Sequence, residues 1–234
     1  MAILTKDELQ TPRSAEEMLD WVYAALGRFN NKALKAAARE GKFFAKELTD
    51  EALPMALFAQ RYFDSSPDVL ISHVIGSQQY DATVEDRRAN ASPIQYIETT
   101  VSDRDYTESL RMEILNRDGS VPAYGDVQAE GPKGQRTLLK AKSMAVNHDK
   151  IRAKHIAAVI GVVKSKAAKS YPNNTALVVR IDDAGAFRED GDVAVLDNVA
   201  RGALVPMLSG REFKVLALEG SQRIHLAYEL EGAG

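Results

Sequence analysis

Two carboxylates fall where a folded chain can least tolerate them. Asp81 opens the run YDATVED and Glu98 lies inside IQYIETT, and both runs have the β-branched and aromatic make-up of strands. A carboxylate among buried side chains is costly unless a cation or a hydrogen-bond donor accompanies it. On adjacent strands the two acids could grip one Mg²⁺, which takes a few carboxylate oxygens and keeps part of its water shell. The alternative is that Asp81 starts a turn and Glu98 pairs with a nearby arginine.

A third candidate lies on the long helix that the pattern predicts from about Asn147 to Ser170. At about 100° per residue, Ile151, Val159, Val162 and Val163 form an apolar arc, and Lys166 falls inside it beside Val159. A lysine on the core-facing side either snorkels from the helix end or neutralises acids at the sheet edge. Lys164 points elsewhere, and Lys169 is the next candidate for the same task.

The charge layout points to a polyanion. The segment from Lys133 to Lys169 holds ten lysines and arginines against the single acid Asp149, a surplus of +9 in a chain of net charge -3, so the remainder carries -12. Lys140, Lys142, Lys150, Arg152, Lys164 and Lys169 are the residues expected to meet a nucleic-acid backbone. The competing account is a solvated helix face covered by the chain's own acids.

Other polar residues read as structural. His73 shares a strand face with Val69, Ile71 and Ile75 and is expected to be a hydrogen-bonded core histidine. His148 and His155 are seven residues apart, without the i, i+4 spacing of a zinc pair. Gln78 and Gln79 precede Asp81 and suit either a strand start or contact with metal-bound water. Glu108, Arg111 and Glu113 fit a local ion-pair cluster.

Composition removes several classes. There is no cysteine, so disulfides, thiolate nucleophiles and cysteine-bound metals are excluded. The phosphate-loop, dinucleotide-turn and nucleophile-elbow motifs are absent, which disfavours the common NTPase, dehydrogenase and esterase readings. No run approaches the roughly 18 apolar residues of a membrane span, and MAILTKDELQ reaches charge too early for a secretory leader, so a cytoplasmic protein without membrane partners is expected.

The elements that must position these residues follow from periodicity. Helices are predicted from Ser14 to Leu26, over Lys32 to Arg39, and from Phe43 towards Phe58 with a break at Pro54. Three strands, VLISHVIG, YDATVED and IQYIETTV, come next. A helix capped by Ser102 with Asp105 then runs to Gly119. A Gly- and Pro-rich loop or loose hairpin spans 119–143 and leads to the long helix, the strand TALVVRI, a helix near Asp197 to Leu208, and a hairpin of EFKVLALEG with RIHLAYEL. The division expected is a helical segment over 1–60 and an α/β core over 61–234.

This order, with PD followed by YDATV and then IQYIETT, resembles the PD-(D/E)XK nuclease superfamily from about Leu53 to Leu230. The resemblance implies a restriction endonuclease-like core, a central mixed β-sheet flanked by helices, here with an N-terminal helical extension. It also implies hydrolysis of DNA or RNA phosphodiesters with Mg²⁺ or Mn²⁺ held by Asp81 and Glu98. The lysine usual two residues after the second acid falls on Thr100, and members of the superfamily can carry that lysine on the following helix, which assigns the role to Lys166. Glu47 would match the further helix acid some relatives use. If the site is eroded, the same resemblance implies a nucleic-acid-binding or protein-interaction module, alone or as a homodimer or larger assembly.

Overall fold

The computed structural model describes residues 3–102, 106–133 and 135–231. The chain begins with α1 (Lys6–Gln10), β1 (Arg13–Ser14), α2 (Met18–Gly27) and α3 (Lys32–Arg39). Side chains start α1 and α3: Thr5 accepts from the Glu8 N–H at 3.1 Å and Asn31 from the Leu34 N–H at 2.9 Å, satisfying amides that no helical carbonyl reaches. A π-helical stretch, Glu47–Ala52, then runs straight into α4 (Leu53–Tyr62). Pro54, expected as a break or kink, falls where the π-helical stretch passes into the α-helix, at the second residue of α4.

The strands β2 (Val69–His73), β3 (Ala82–Asp86) and β4 (Tyr96–Val101) follow, then α5 (Tyr106–Asp118). The loop region contains a hairpin, β5 (Val127–Glu130) and β6 (Leu138–Ala141), that pairs apart from the main sheet. Next come α6 (His148–Ala167), β7 (Thr175–Arg180), α7 (Asp183–Ala186) and α8 (Asp190–Val199). A second π-helical stretch (Ala200–Leu204), α9 (Val205–Leu208), β8 (Phe213–Glu219) and β9 (His225–Glu229) complete the chain. The proposed cap of α5 by Asp105 lies outside the described residues, and among those described Ser102 Oγ has no hydrogen-bond partner.

The central sheet has seven strands in the order β1-β2-β3-β4-β7-β8-β9. β4, β7 and β8 are parallel neighbours and the other pairs are antiparallel, so the sheet is mixed, as expected. Parallel neighbours cannot be joined by a tight turn, and α6 provides the crossover from β4 to β7. Strand alternation divides the core into two layers. Ala176, Val178, Val215 and Ala217 face the helices of the N-terminal segment, while Leu177, Val179, Leu216 and Leu218 face α6, α8 and α9. The end of the chain shows the same alternation: Ile224, Tyr228 and Leu230 are buried, whereas His225, Ala227 and Glu229 are exposed.

The expected boundary at residue 60 does not separate two cores. Met18, Val22, Leu48 and Phe58 of the helical segment pack in one cluster with Val69, Ile71, Ile97 and Val178 of the sheet. β1, from within the first 60 residues, adds an edge strand to β2. No described helix is long and apolar enough to cross a membrane.

Candidate functional site

The β3–β4 register builds the site. β3 begins at Ala82, which lies opposite Ile97, and Asp81 just before it donates its N–H to the Ile97 carbonyl at 2.8 Å, so it sits at the end of the ladder with its charge felt at Glu98. Because Ile97 faces the N-terminal helices, Glu98 projects to the opposite layer, under α6.

Lys166 descends from the last turn of α6 and joins its ammonium to Glu98 Oε1. The α6 arc is buried at Ile151, Val159, Val163 and Ala167, so Lys166 occupies the core-facing side, one turn after Val163. Tyr171, just past the helix, donates its hydroxyl to the same oxygen at 3.4 Å and packs against Phe213. Asp81 Oδ2 accepts from the Thr99 N–H at 2.8 Å and from its Oγ1 at 2.6 Å. The side chain of Asp81 thus takes up a β4 amide where the β3 ladder ends.

The electrostatics are those of two close carboxylates sharing limited positive charge. Glu98 is 8% exposed. Burial and then the negative charge of Asp81 push its carboxyl above the ordinary range, while Lys166 and Lys169 act in the opposite sense. Burial, followed by the charge of Glu98, also raises the Tyr171 hydroxyl, which stays protonated and able to donate.

Two carboxylates suit Mg²⁺ or Mn²⁺ only if water or a substrate phosphate completes the shell, because no cluster of three or more His, Asp or Glu able to hold a metal occurs among the described residues. Within that limit the donors fit: they are hard oxygen ligands, and a divalent cation would relieve the repulsion that raises Glu98. Glu47, the proposed further acid, lies on the π-helical stretch with Oε2 buried and without a hydrogen-bond partner.

The residues expected to bind substrate divide into two groups. Lys140, Lys142, Lys150, Lys164 and Lys169 are exposed. Arg152 is instead held between Asp149, at 2.7 Å, and Asp192. Asp192 also receives His148 Nε2 at 3.1 Å and the N–H groups of Arg188 and Glu189. Burial alone would raise Asp192, but Arg152 and these donors hold it well below the ordinary range.

His73 is the hydrogen-bonded core histidine expected, whereas Glu108, Arg111 and Glu113 do not close into one local ion-pair cluster among the described residues. His73, 3% exposed, bonds Glu51 at 2.7 Å. Gln78 donates to the Val74 and Tyr80 carbonyls at 2.8 and 2.9 Å and closes the turn before Asp81, leaving no amide hydrogen for a substrate. Arg111 bonds the Pro122 and Gly125 carbonyls and is only 4.0 Å from Glu108, while Glu113 pairs with Arg136.

Thr99 and Tyr171 were missed from the sequence. The pair Thr99-Thr100 in an otherwise apolar strand is a polar signal that could have drawn attention to Thr99, whereas nothing around Tyr171 marks it. Compared with known proteins, the chain matches no protein-family profile, no curated protein and no solved structure.

Proposed function

We propose that the chain is a metal-dependent nuclease of the restriction endonuclease-like class, cleaving phosphodiesters at Asp81 and Glu98. The observation that carries this reading is the meeting of Lys166 with Glu98 beside the charge of Asp81. Two acids and one lysine from three separate segments converge at the end of the β3–β4 ladder, and the lysine comes from α6, which follows the three strands after α5 and the β5–β6 hairpin. The order α4, β2, β3, β4, α6, β7 supports the same reading.

Asp81 and Glu98 would hold Mg²⁺ or Mn²⁺, which when bound lowers the pKa of a water and offsets phosphate charge. Thr99 holds the Asp81 carboxylate in place through two hydrogen bonds, so its orientation is set before any ligand arrives. Lys166 neutralises Glu98 at rest and can transfer its N–H to a substrate phosphate oxygen, stabilising charge that grows in the transition state. The exposed lysines 140, 142, 150, 164 and 169 would draw in nucleic acid.

A binding module without catalysis is the second reading. It is favoured by the direct Lys166–Glu98 pair, which satisfies the buried acid without a cation, and by Thr100 at the position of the usual lysine. The test is incubation of labelled single- and double-stranded DNA and RNA with Mg²⁺ or Mn²⁺. The nuclease reading expects cleavage that EDTA stops and that Asp81→Asn, Glu98→Gln and Lys166→Ala each abolish. Binding without cleavage of any of these substrates selects the module.

A further inference from the structure

A groove of about 920 Å³ opens along α6, away from the acids, at the carboxyl end of β4. Its walls include Ser102, just past β4, and Lys150, Lys154 and Ala158 of α6. Ser102 is four strand residues beyond Glu98, a run of about 13 Å. Ala158 is eight helix residues before Lys166, about 12 Å. The two elements that meet at the acid pair therefore both lead to this groove.

Three features indicate what it takes. Ser102 is 7% exposed and its Oγ is buried without a hydrogen-bond partner, and the same holds for Nδ1 of His155, a further lining residue. Buried polar atoms are nearly always satisfied, so two such atoms on residues lining one groove point to a polar ligand. Lys150 and Lys154, one turn apart, are exposed on the α6 wall and form no ion pair with a described residue. Tyr124 and Met144, also lining the groove, are joined through their backbones at 3.3 Å and bring an aromatic ring and a thioether, Met144 being 54% exposed.

Exposed cations, a ring, a thioether and unmet hydrogen-bonding atoms gathered in one groove match the parts of a nucleotide. We infer that the groove binds a nucleotide of a single-stranded nucleic acid, its phosphate on Lys150 and Lys154 and its base against Tyr124 and Met144. The inference rests on the nuclease reading only for the path of the strand, which continues from the groove to Asp81 and Glu98. Glu108 and Asp182 also line the groove, and their negative charge disfavours a phosphate on their side of it. A single strand is required because Glu98 and Lys166 are recessed, at 10% and 17% side-chain exposure, and the groove has the size of a small-ligand site. A duplex backbone cannot follow both.

The test is fluorescence anisotropy of a fluorescein-labelled single-stranded DNA octamer, and of its duplex, in EDTA so that no cleavage occurs. Lys150→Glu with Lys154→Glu is expected to weaken the single strand at least about tenfold, and Ala158→Trp, which fills the groove, by about fivefold. Lys32→Glu with Lys35→Glu, a charge reversal of equal size on α3, should change it less than about twofold. The unmodified protein should hold the duplex more weakly than the single strand. Equal losses from the α6 and α3 reversals, or tighter binding of the duplex, would overturn the inference. Both lysines of the groove pair are exposed, so that variant is expected to fold, and its thermal midpoint checks this; should Ala158→Trp misfold, the lysine pair decides alone. Groove-dependent binding without metal-dependent cleavage would refute the nuclease reading and leave the groove standing. Cleavage lost in Glu98→Gln, with wild-type binding by the groove variants, would refute the groove alone.

Discussion

Lys166 and Glu98 are 68 residues apart in sequence and share one buried ion pair, with the charge of Asp81 acting on the same carboxylate. Each charge stabilises the other in the folded protein, and each is exposed to loss of its partner. Lys166→Met should lower stability at pH 7 by about 2–3 kcal/mol, because it strands an ionised carboxylate beside a second one. Urea unfolding measures this. In cleavage assays Lys164→Ala should retain most activity, since Lys164 is exposed, while Lys166→Ala, which removes the amine bonded to Glu98, should abolish it. Cleavage that survives Lys166→Ala but is lost in Lys169→Ala would transfer the role to Lys169.

The pH dependence of Glu98 has a defined sign. Burial and Asp81 raise its folded pKa above the ordinary 4.5, so the folded state binds this proton more tightly than the unfolded one. The ionised group therefore costs stability, a cost absent below pH 4.5 and growing as pH rises through the folded pKa. The stability of the wild type relative to Glu98→Gln should decline over that interval and then level off. Thermal midpoints of both proteins from pH 4 to 8 provide the check, and a wild-type advantage that grows with pH would contradict the raised carboxyl.

Asp183 shows the opposite linkage. It is 1% exposed and accepts from the N–H groups of Ser221, Gln222, Arg223 and Ile224 and from Ser221 Oγ, holding the turn between β8 and β9. Burial raises its carboxyl, but the amides of Arg223, Gln222 and Ile224 outweigh this and leave it below the usual 3.8. Asp183→Ala should cost about 3 kcal/mol at pH 7, the loss of charge-assisted bonds to buried amides. That stabilisation is complete above 3.8 and disappears as pH falls through the folded pKa. Gly220→Ala tests the same cradle independently, since a Cβ there would lie 2.3 Å from Asp183 Oδ2.

Arg152 should separate stability from binding. Arg152→Ala removes a guanidinium from Asp192, which has 5% side-chain exposure, and should cost about 2 kcal/mol. Its effect on the salt dependence of nucleic-acid binding should be negligible. Lys164→Ala should do the reverse, leaving stability unchanged and reducing the log–log salt slope by about one. Binding titrations between low and moderate salt distinguish the two.

Gly125 controls the hairpin segment locally. Its φ is +121°, and a Cβ would lie 1.8 Å from the Lys142 carbonyl oxygen. Arg111 holds the carbonyls of Pro122 and Gly125 from the adjacent helix. Gly125→Ala should release β5 and β6 while the seven-stranded sheet persists. Tryptic cleavage after Lys133 and Lys140 should then accelerate by about tenfold or more, with little change in the global melting temperature.

What could be read from the sequence was periodic. Alternation gave the faces of RIHLAYEL, and the 3.6-residue arc of α6 put Lys166 on the side where Glu98 lies. What could not be read was non-local or too short to repeat. β1 has two residues and no period. Arg152 looked like its basic neighbours until Asp192, 40 residues later, supplied the partner. Tyr171 and Thr99 gained roles only when β4 and the end of α6 met. The two π-helical stretches carry no periodic signature of their own, and helix patterns register them as continuous α-helix.

The parallel pairing of β4 with β7 has a consequence for the order of assembly. Acids and lysine are made at different times: synthesis delivers Asp81 and Glu98 on an antiparallel sheet that can form early, while the lysine waits behind α5 and the β5–β6 hairpin. Closing so long a loop costs entropy before any contact repays it. A nascent chain, or a fragment ending before residue 148, therefore carries both acids without the amine that neutralises one of them, and whatever this site does begins only after α6 has been made.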